Sequence, residues 1–284
     1  IGGSGLYHLP GLVEAAERIV STPFGEPSAP IITGTLGSTP VAFLTRHGRG
    51  HRHSPQSVPY AANIHALRSL GVSHLLSISA VGSLRDDLPP RTAVLPDQII
   101  NRADSRVQSF FSNGLVAHVG LAEPFCPELR NVMQGILADA GIAAINGGTY
   151  VCIEGPQFST RAESHLYRSW GASVIGMTAM PEAQLAREAG MCLAMLAMVT
   201  DYDVWHESEA PVTVEMVQRV LQDNVEVGRT AIAGLAESGL PVCHSGCREA
   251  LEGAVITDPS FRSDAANSLL SSLSWSDPQR PARE

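Results

Sequence analysis

The sequence predicts an α/β protein built on a central mixed β-sheet flanked by helices. Three observations carry this. Strand-like and helix-like segments alternate along most of the chain, the pattern of a mostly parallel or mixed sheet wrapped by helices. The run Cys192-Leu-Ala-Met-Leu-Ala-Met-Val199 is continuously apolar, as expected of a strand buried on both faces. With 284 residues and 44% hydrophobic content, the chain can bury a sizeable core. We expect one α/β domain over 1–238 and a C-terminal extension over 239–284.

The elements follow in order. Pro40 to Leu44 reads as a strand running into Thr45-Arg46-His47-Gly48. Val58 to Leu70 reads as a helix with a stripe of Ile64, Leu67 and Leu70, stopped by Gly71. Ser73 to Ser79 is a strand ending at Ala80-Val81-Gly82-Ser83, and Thr149 to Ile153 a strand leading into Glu154-Gly155-Pro156-Gln157-Phe158. Arg161 to Trp170 is a helix stopped by Gly171. Ala172 to Met177 is a strand, and Pro181 to Ala189 a helix with Pro at its start and Gly190 at its end. Thr213 is an N-cap for a long helix carrying Val214, Val217, Leu221, Val225 and Leu235 on one stripe. From about Gly239 the texture changes to Ser, Asp, Arg and Pro, which reads as an extension with a loosely held or disordered tail over 263–284.

Charge and composition exclude several classes. A net charge of −9 argues against a general nucleic-acid or anionic-membrane surface, though a few Arg, His and backbone N–H groups suffice for one phosphate. No apolar run reaches the ~20 residues of a membrane span, and no signal segment is present. The chain opens on Ile1-Gly2-Gly3 without an initiator Met, so native residues are expected before it. The five scattered cysteines, Cys126, Cys152, Cys192, Cys243 and Cys247, fit a reducing cytoplasm better than a disulfide scaffold. Cys243-His-Ser-Gly-Cys247 admits a metal fragment or a local disulfide. Structural zinc wants four ligands and no second pair is apparent, so a surface turn with two thiols is preferred and no metal is expected.

The candidate chemistry lies at segment ends. Thr200-Asp201-Tyr202-Asp203 closes the apolar run, where open α/β sheets collect ligands. A carboxyl there can meet a ring nitrogen that becomes basic as a bond breaks, although Asp is also common where strands stop. Gly2-Gly3-Ser4-Gly5 can bring backbone N–H groups and a hydroxyl to an anion, but it matches neither the P-loop nor the dinucleotide spacing. Arg46 and His47 follow a strand directly, in a basic cluster reaching Arg49, His51, Arg52 and His53. Arg offers phosphate a planar fork and His a second donor. Ser79-Ala80-Val81-Gly82 and Gly176-Met177-Thr178 end strands with small or hydroxyl groups. Phe158 either stacks on a flat ring or packs in the core.

Taken together these residues resemble the trimeric purine nucleoside phosphorylases, and within them the 5′-methylthioadenosine phosphorylases. The resemblance runs from Gly2 to about Leu235 and rests on Gly-Gly-Ser-Gly, Arg-His-Gly, Ala-Val-Gly-Ser-Leu, Ala122-Glu-Pro-Phe-Cys-Pro127, Glu154-Gly-Pro-Gln-Phe-Ser-Thr-Arg-Ala-Glu163, Gly-Met-Thr-Ala-Met-Pro-Glu-Ala and Thr-Asp-Tyr-Asp, in that order. It extends to Cys247–Asp258, similar to a segment of bacterial and archaeal members. It implies the nucleoside phosphorylase fold, a cytoplasmic homotrimer, and transfer of a pentosyl group from a small-molecule nucleoside to inorganic phosphate. The phosphate is a co-substrate, and no cofactor is implied. By the same resemblance Ser4, Arg46, His47, Ser79, Ala80 and Thr178 bind phosphate. Met177 lies under the ribose, Phe158 packs on the purine, and Ser159, Asp203 and Val217 line the substrate. Asp201 faces N7 and the exocyclic amine as general acid, and His118 is lent to the neighbouring subunit. Relatives acting on 6-oxopurines carry Glu at the place of Ser159 and Asn at that of Asp201, so this pair implies a 6-aminopurine, hence adenine and 5-methylthioribose 1-phosphate as products. Inosine, adenosine or methylthioinosine is the alternative. Two departures stand out: Gly176 replaces an Asn of some members, and the segment from Arg106 to His118 is short.

Overall fold

A computed structural model describes residues 1–3, 9–112, 114–206 and 214–275, with side chains described from 224 onward in the helix that begins at 214. Ser4, Thr213 and the tail 276–284 lie outside the described residues, as does the side chain of Val217.

Three strands, β1 (Val13–Arg18), β2 (Ile31–Leu36) and β3 (Thr39–Phe43), form a separate antiparallel sheet in that order. The strand expected at Pro40–Leu44 is therefore real but stands outside the central sheet. Helix α1 (Tyr60–Ser69) leads to β4 (His74–Ser83), then β5 (Ala93–Leu95) and β6 (Gln98–Arg102). Helix α2 (Pro127–Asp139) precedes β7 (Ala144–Asn146) and β8 (Thr149–Ile153). Next come α3 (Arg161–Ser169), β9 (Val174–Gly176), α4 (Ala179–Glu188), β10 (Cys192–Asp201) and α5 (Val214–Ser238), with a short 3-10 turn and α6 (Asp264–Leu273) closing the described chain. Backbone geometry at Met180 is extended (φ −111°, ψ 135°), so regular α4 starts at Pro181, where the sequence places it.

The central sheet has seven strands in the order β6-β8-β9-β4-β10-β5-β7. β4 and β10 pair in parallel at its middle, while β9 and β5 flank them antiparallel. The sheet is thus mixed, as expected. All ten residues of β10 are buried, the reason its first eight, Cys192 to Val199, are continuously apolar. α3 begins with a capping box in which Thr160 and Glu163 satisfy each other's backbone N–H groups. No helix among the described residues is long and apolar enough to cross a membrane.

The first part of the expected loose tail is held in place, since α6 lies within it. Arg68 of α1 donates to the carbonyls of Leu273 and Ser274 and stacks 3.6 Å from the Trp275 ring, whose Nε1–H donates to the Ala189 carbonyl. Leu273 joins the main core. Polar composition misled here because a few anchors, not a continuous apolar face, hold the segment.

Candidate active site

The site forms where β4, β9 and β10 end together. β10 pairs with β4 residue for residue until Val199↔Val81, then skips to Asp201↔Gly82. That irregularity turns Thr200 so that its hydroxyl donates to Asp201 Oδ2 (2.7 Å) and lies 3.2 Å from the Val81 carbonyl. The Asp203 N–H donates to Asp201 Oδ1 (2.8 Å). Asp203 holds φ at 52°, a left-handed conformation that Asp tolerates better than most residues. Trp205 anchors the next turn of chain by donating to the Ser83 carbonyl (2.8 Å).

Both carboxyls are buried, Asp201 at 8% and Asp203 at 6% exposure. Burial lifts Asp201 above the ordinary Asp range, against the pull of the Thr200 hydroxyl and the Asp203 N–H. Burial pushes Asp203 up to about 6, with the charge of Asp201 adding to it. Asp203 Oδ2 is buried and makes no well-formed hydrogen bond among the described residues, although the nearby Ser164 hydroxyl tempers the rise. Orphaned buried acceptors are costly, so this atom is suited to a proton or a ligand donor. Gly82 makes the arrangement possible: a Cβ there would sit 3.0 Å from Asp201 Oδ1 and 3.1 Å from Ile175.

A second set gathers beside it. The hydroxyls of Ser79 and Thr178 lie 3.1 Å apart, both buried, with Ala80 next along β4. The expected strand end at Ser79 is corrected here, since β4 continues to Ser83 and Ala80 lies within it; the two hydroxyls are the kind of donors an oxyanion needs. His47 donates from Nδ1–H to the His53 carbonyl (2.9 Å) and stacks on His51 at 4.2 Å between centroids. Burial, followed by the charge of Arg46, pulls His47 down to about 4. Its ring is therefore neutral at pH 7, and Nε2 donates only when an anion brings a proton to it. The simple donor role expected for His47 needs that amendment.

Arg46 needs a larger correction. Its planar fork closes on Glu182, with Nε–H to Oε1 at 2.5 Å and Nη2 to Oε2 at 3.1 Å. Nη2 also reaches Ser77 Oγ and Nη1 the Ile78 carbonyl. Of five N–H groups, one on Nη1 is left without a partner among the described residues. Arg46 and Glu182 side chains are each 1% exposed, and a charge so buried requires its counter-ion. Arg46 thus brings positive potential and at most one N–H, not a free fork.

Around the strand ends, Ser159 Oγ is buried without a partner among the described residues, Phe158 is 41% exposed, and Met177 is half-buried against Gly155. His118 stands apart: it is exposed, and its N–H donates to the Ala254 carbonyl of the extension (2.9 Å).

Sequence reading missed three residues here. Arg106 donates to the carbonyls of Ile153, Glu154, Met177 and Met180, to Glu154 Oε1 and to the Tyr60 hydroxyl. It ties the loops after β8 and β9 into one wall. Glu182 interrupts the apolar run Ala179-Met-Pro-Glu-Ala183, a signal that could have marked a buried ion pair. Tyr150 explains Gly176: a Cβ at 176 would lie 2.0 Å from the Tyr150 hydroxyl, which accepts from the Thr178 N–H (3.4 Å). Tyr150 fills the space that an Asn at 176 would need. A cavity of about 360 Å³ lies elsewhere, on the three-stranded sheet between Leu9, Leu12, Phe43 and Thr45. It contains none of these carboxyls or hydroxyls.

Comparison with known proteins covers most of the chain. The family model of the phosphorylase superfamily matches residues 1–237. A relative from Koribacter versatilis (strain Ellin345), named S-methyl-5′-thioadenosine phosphorylase, is 51% identical over 262 residues, 91% of this chain and 88% of its own. One of the same name from Rhodospirillum rubrum is 49% identical over 277 residues, 96% and 94% of the two chains. The crystal structure of a methylthioadenosine phosphorylase from an antarctic soil metagenomic library superposes with a TM-score of 0.89 at 46% identity, covering 96% of each chain. The Schistosoma mansoni methylthioadenosine phosphorylase in complex with adenine gives 0.83 at 32% identity, over 87% of this chain and 96% of that one.

Proposed function

The chain belongs to the phosphorylase superfamily, and we propose that it is a pentosyltransferase cleaving 5′-methylthioadenosine with inorganic phosphate. Relatives named S-methyl-5′-thioadenosine phosphorylase at about half identity over nine-tenths of the chain support the substrate. The observation that carries the reading within this molecule is the buried Asp201–Asp203 pair at the end of β10, beside the Ser79–Thr178 hydroxyls.

In the proposed reaction, phosphate rests on the Ser79 and Thr178 hydroxyls and the Ala80 backbone, near His47, with the Arg46 charge behind it. A phosphate oxygen bonds to C1′ as the C1′–N9 bond breaks, and its electron pair passes into the adenine ring. The products are adenine and 5-methylthioribose 1-phosphate. N7 becomes basic as charge enters the ring, and Asp201, whose burial favours the protonated form, supplies the proton. Its other oxygen accepts from the exocyclic amine. Asp203 and Ser159 add polar atoms on the same side, and Phe158 and Met177 supply apolar surface for the base and ribose. The chemistry is positioning and charge; it calls for no metal or organic cofactor, since phosphate itself is the nucleophile.

We further propose a cytoplasmic homotrimer in which His118 completes a neighbour's site. The exposure of His118 and of Val116 two residues before it supports a covered face there. Incubating the protein with 5′-methylthioadenosine should release adenine only when phosphate is present. Adenine released equally without phosphate would make water the nucleophile and overturn the reading. Preferential turnover of methylthioinosine or inosine would overturn the base assignment.

A further inference from the structure

Four thiols meet at the end of β10 opposite to the active site. Cys126 is the N-cap residue of α2, Cys192 opens β10, and Cys243 and Cys247 bracket the loop beyond α5. Their Sγ atoms all lie within 4.8 Å of one another. No disulfide joins them. Cys243 and Cys247 were expected to form a two-thiol surface turn. Instead Cys247 is buried, and the missing second pair arrives from two distant segments.

We propose that Cys126, Cys192, Cys243 and Cys247 bind one zinc ion as a closed four-thiolate site that staples the C-terminal extension to the sheet.

The donor set decides the metal class. Four soft sulfurs select zinc or a similarly thiophilic ion, never magnesium or calcium. A tetrahedral zinc with Zn–S bonds of ~2.3 Å places its sulfurs about 3.8 Å apart, within the observed envelope. Cys126, Cys192 and Cys247 share one apolar cluster against which Cys243 packs, but packing does not require all four Sγ atoms to converge on one point, as they do. The surroundings pre-arrange it. The Cys126 N–H donates to the Leu193 carbonyl (2.7 Å), holding two ligand segments together. Glu128 accepts from the Ser245 hydroxyl and the His244 N–H, fixing the loop between the other two ligands. Arg187 Nη1 lies 3.5 Å from Cys247 Sγ and offsets part of the negative charge that four thiolates would leave around a divalent ion. The Cys126 thiol donates to Glu128 (3.2 Å); zinc would displace that proton, and Glu128 would keep its loop donors. All four ligands come from protein, which marks a structural site. Ten residues of β10 separate it from Asp201, roughly 30 Å at the usual rise per residue, so the ion has no part in the reaction.

The test uses the whole chain, untagged and purified without chelator. Elemental analysis should find about one zinc per chain, as a closed structural site requires. Zinc removed under reducing conditions and replaced by Co²⁺ should give the intense visible bands of tetrahedral cobalt thiolate, saturating at one equivalent. The thermal midpoint should fall on zinc removal and recover on its return. Cys243→Ser should weaken metal retention by at least ~10-fold. The reconstitution reads the wild-type protein directly, so a variant that fails to fold does not blur the result. Protein that leaves purification without zinc and takes up neither Zn²⁺ nor Co²⁺ while its thiols are reduced would overturn the proposal. So would two disulfides among these four cysteines, found by mass spectrometry of protein from a reducing cytoplasm.

Discussion

The most consequential perturbation is to separate Arg46 from Glu182. The pair is 1% exposed on both sides, bidentate, and shares Ser77 as a third member. Breaking such a pair by removing one partner leaves an uncompensated buried charge, which costs about 3–5 kcal/mol. At roughly 2–4 °C per kcal/mol for a chain of this size, Arg46→Met and Glu182→Gln should each lower the thermal midpoint by about 6–20 °C. Removing both together leaves two apolar or neutral groups of similar volume, which a buried site tolerates far better. The double variant should therefore recover most of the loss, a coupling well above the ~0.5 kcal/mol at which independent sites add. Thermal unfolding of the four proteins at one pH, with phosphate saturation curves on each, supplies the data. The double variant should still show a raised KM for phosphate, because the remaining Nη1 hydrogen and the positive potential are gone. Two single effects that simply add in the double variant would refute the coupling. A stable Arg46→Met with altered phosphate saturation alone would mean that the fork serves phosphate first.

Asp201→Asn should lose ~10²-fold or more in kcat/KM on 5′-methylthioadenosine, the usual scale for a general acid. The ratio of 5′-methylthioadenosine to methylthioinosine turnover should shift toward the 6-oxopurine, and an unmoved ratio would remove Asp201 from the base edge. For Asp203 the folded carboxyl sits at about 6, so its ionisation opposes folding as pH rises from the ordinary Asp value of about 3.9 through 6, on the order of 3 kcal/mol when complete. Asp203→Asn should therefore raise the thermal midpoint relative to the parent at pH 8 and do little at pH 4; equal effects at both would contradict a raised Asp203. Light scattering should give about three times the 30.1 kDa chain mass, and a fully active monomer would free His118 from any site.

Much of the sheet was legible because its central strand is apolar from Cys192 to Val199, and buried strands leave no alternation to confuse. α3 declared itself through Thr160 and Glu163, and α5 through its stripe. The three-stranded sheet was not legible. β1 reads Val-Glu-Ala-Ala-Glu-Arg and is mostly exposed, so nothing in its pattern asks for a strand; pairing with β2 makes it one. β5 and β7 have three residues each, too few for any period to register. In the site, Asp201 and Thr178 were readable as polar residues where strands stop; Ser79 reads that way too, but β4 continues past it to Ser83. Arg106, Tyr150 and the partner of Arg46 were not, because their roles exist only through contacts across 28 to 136 positions. The four thiols failed for the same reason: 51 to 66 residues separate Cys192 from its partners, and no spacing rule spans that.

The two carboxyls at the end of β10 are built unequally, and the inequality has a chemical use. Asp201 receives one donor on each oxygen, from Thr200 and from the backbone of Asp203. These bonds orient it and hold its pKa below what burial alone would set. Asp203 has an oxygen with no well-formed hydrogen bond among the described residues, and its pKa is pushed up to about 6. Two adjacent carboxyls resist carrying two charges at once. When a purine ring takes up electrons beside Asp201, the proton it needs comes from a pair already inclined to hold one. The left-handed backbone of Asp203 sharpens this reasoning. Asn occupies that conformation as readily as Asp, so Asp203→Asn keeps the turn and its N–H to Asp201 while removing the second charge. The charge of Asp201 is part of what holds the proton on Asp203, so without the second carboxyl the last proton of the site should leave at a lower pH. The alkaline limb of the rate profile should then move down with it, whereas a purely structural Asp203 would leave that limb in place.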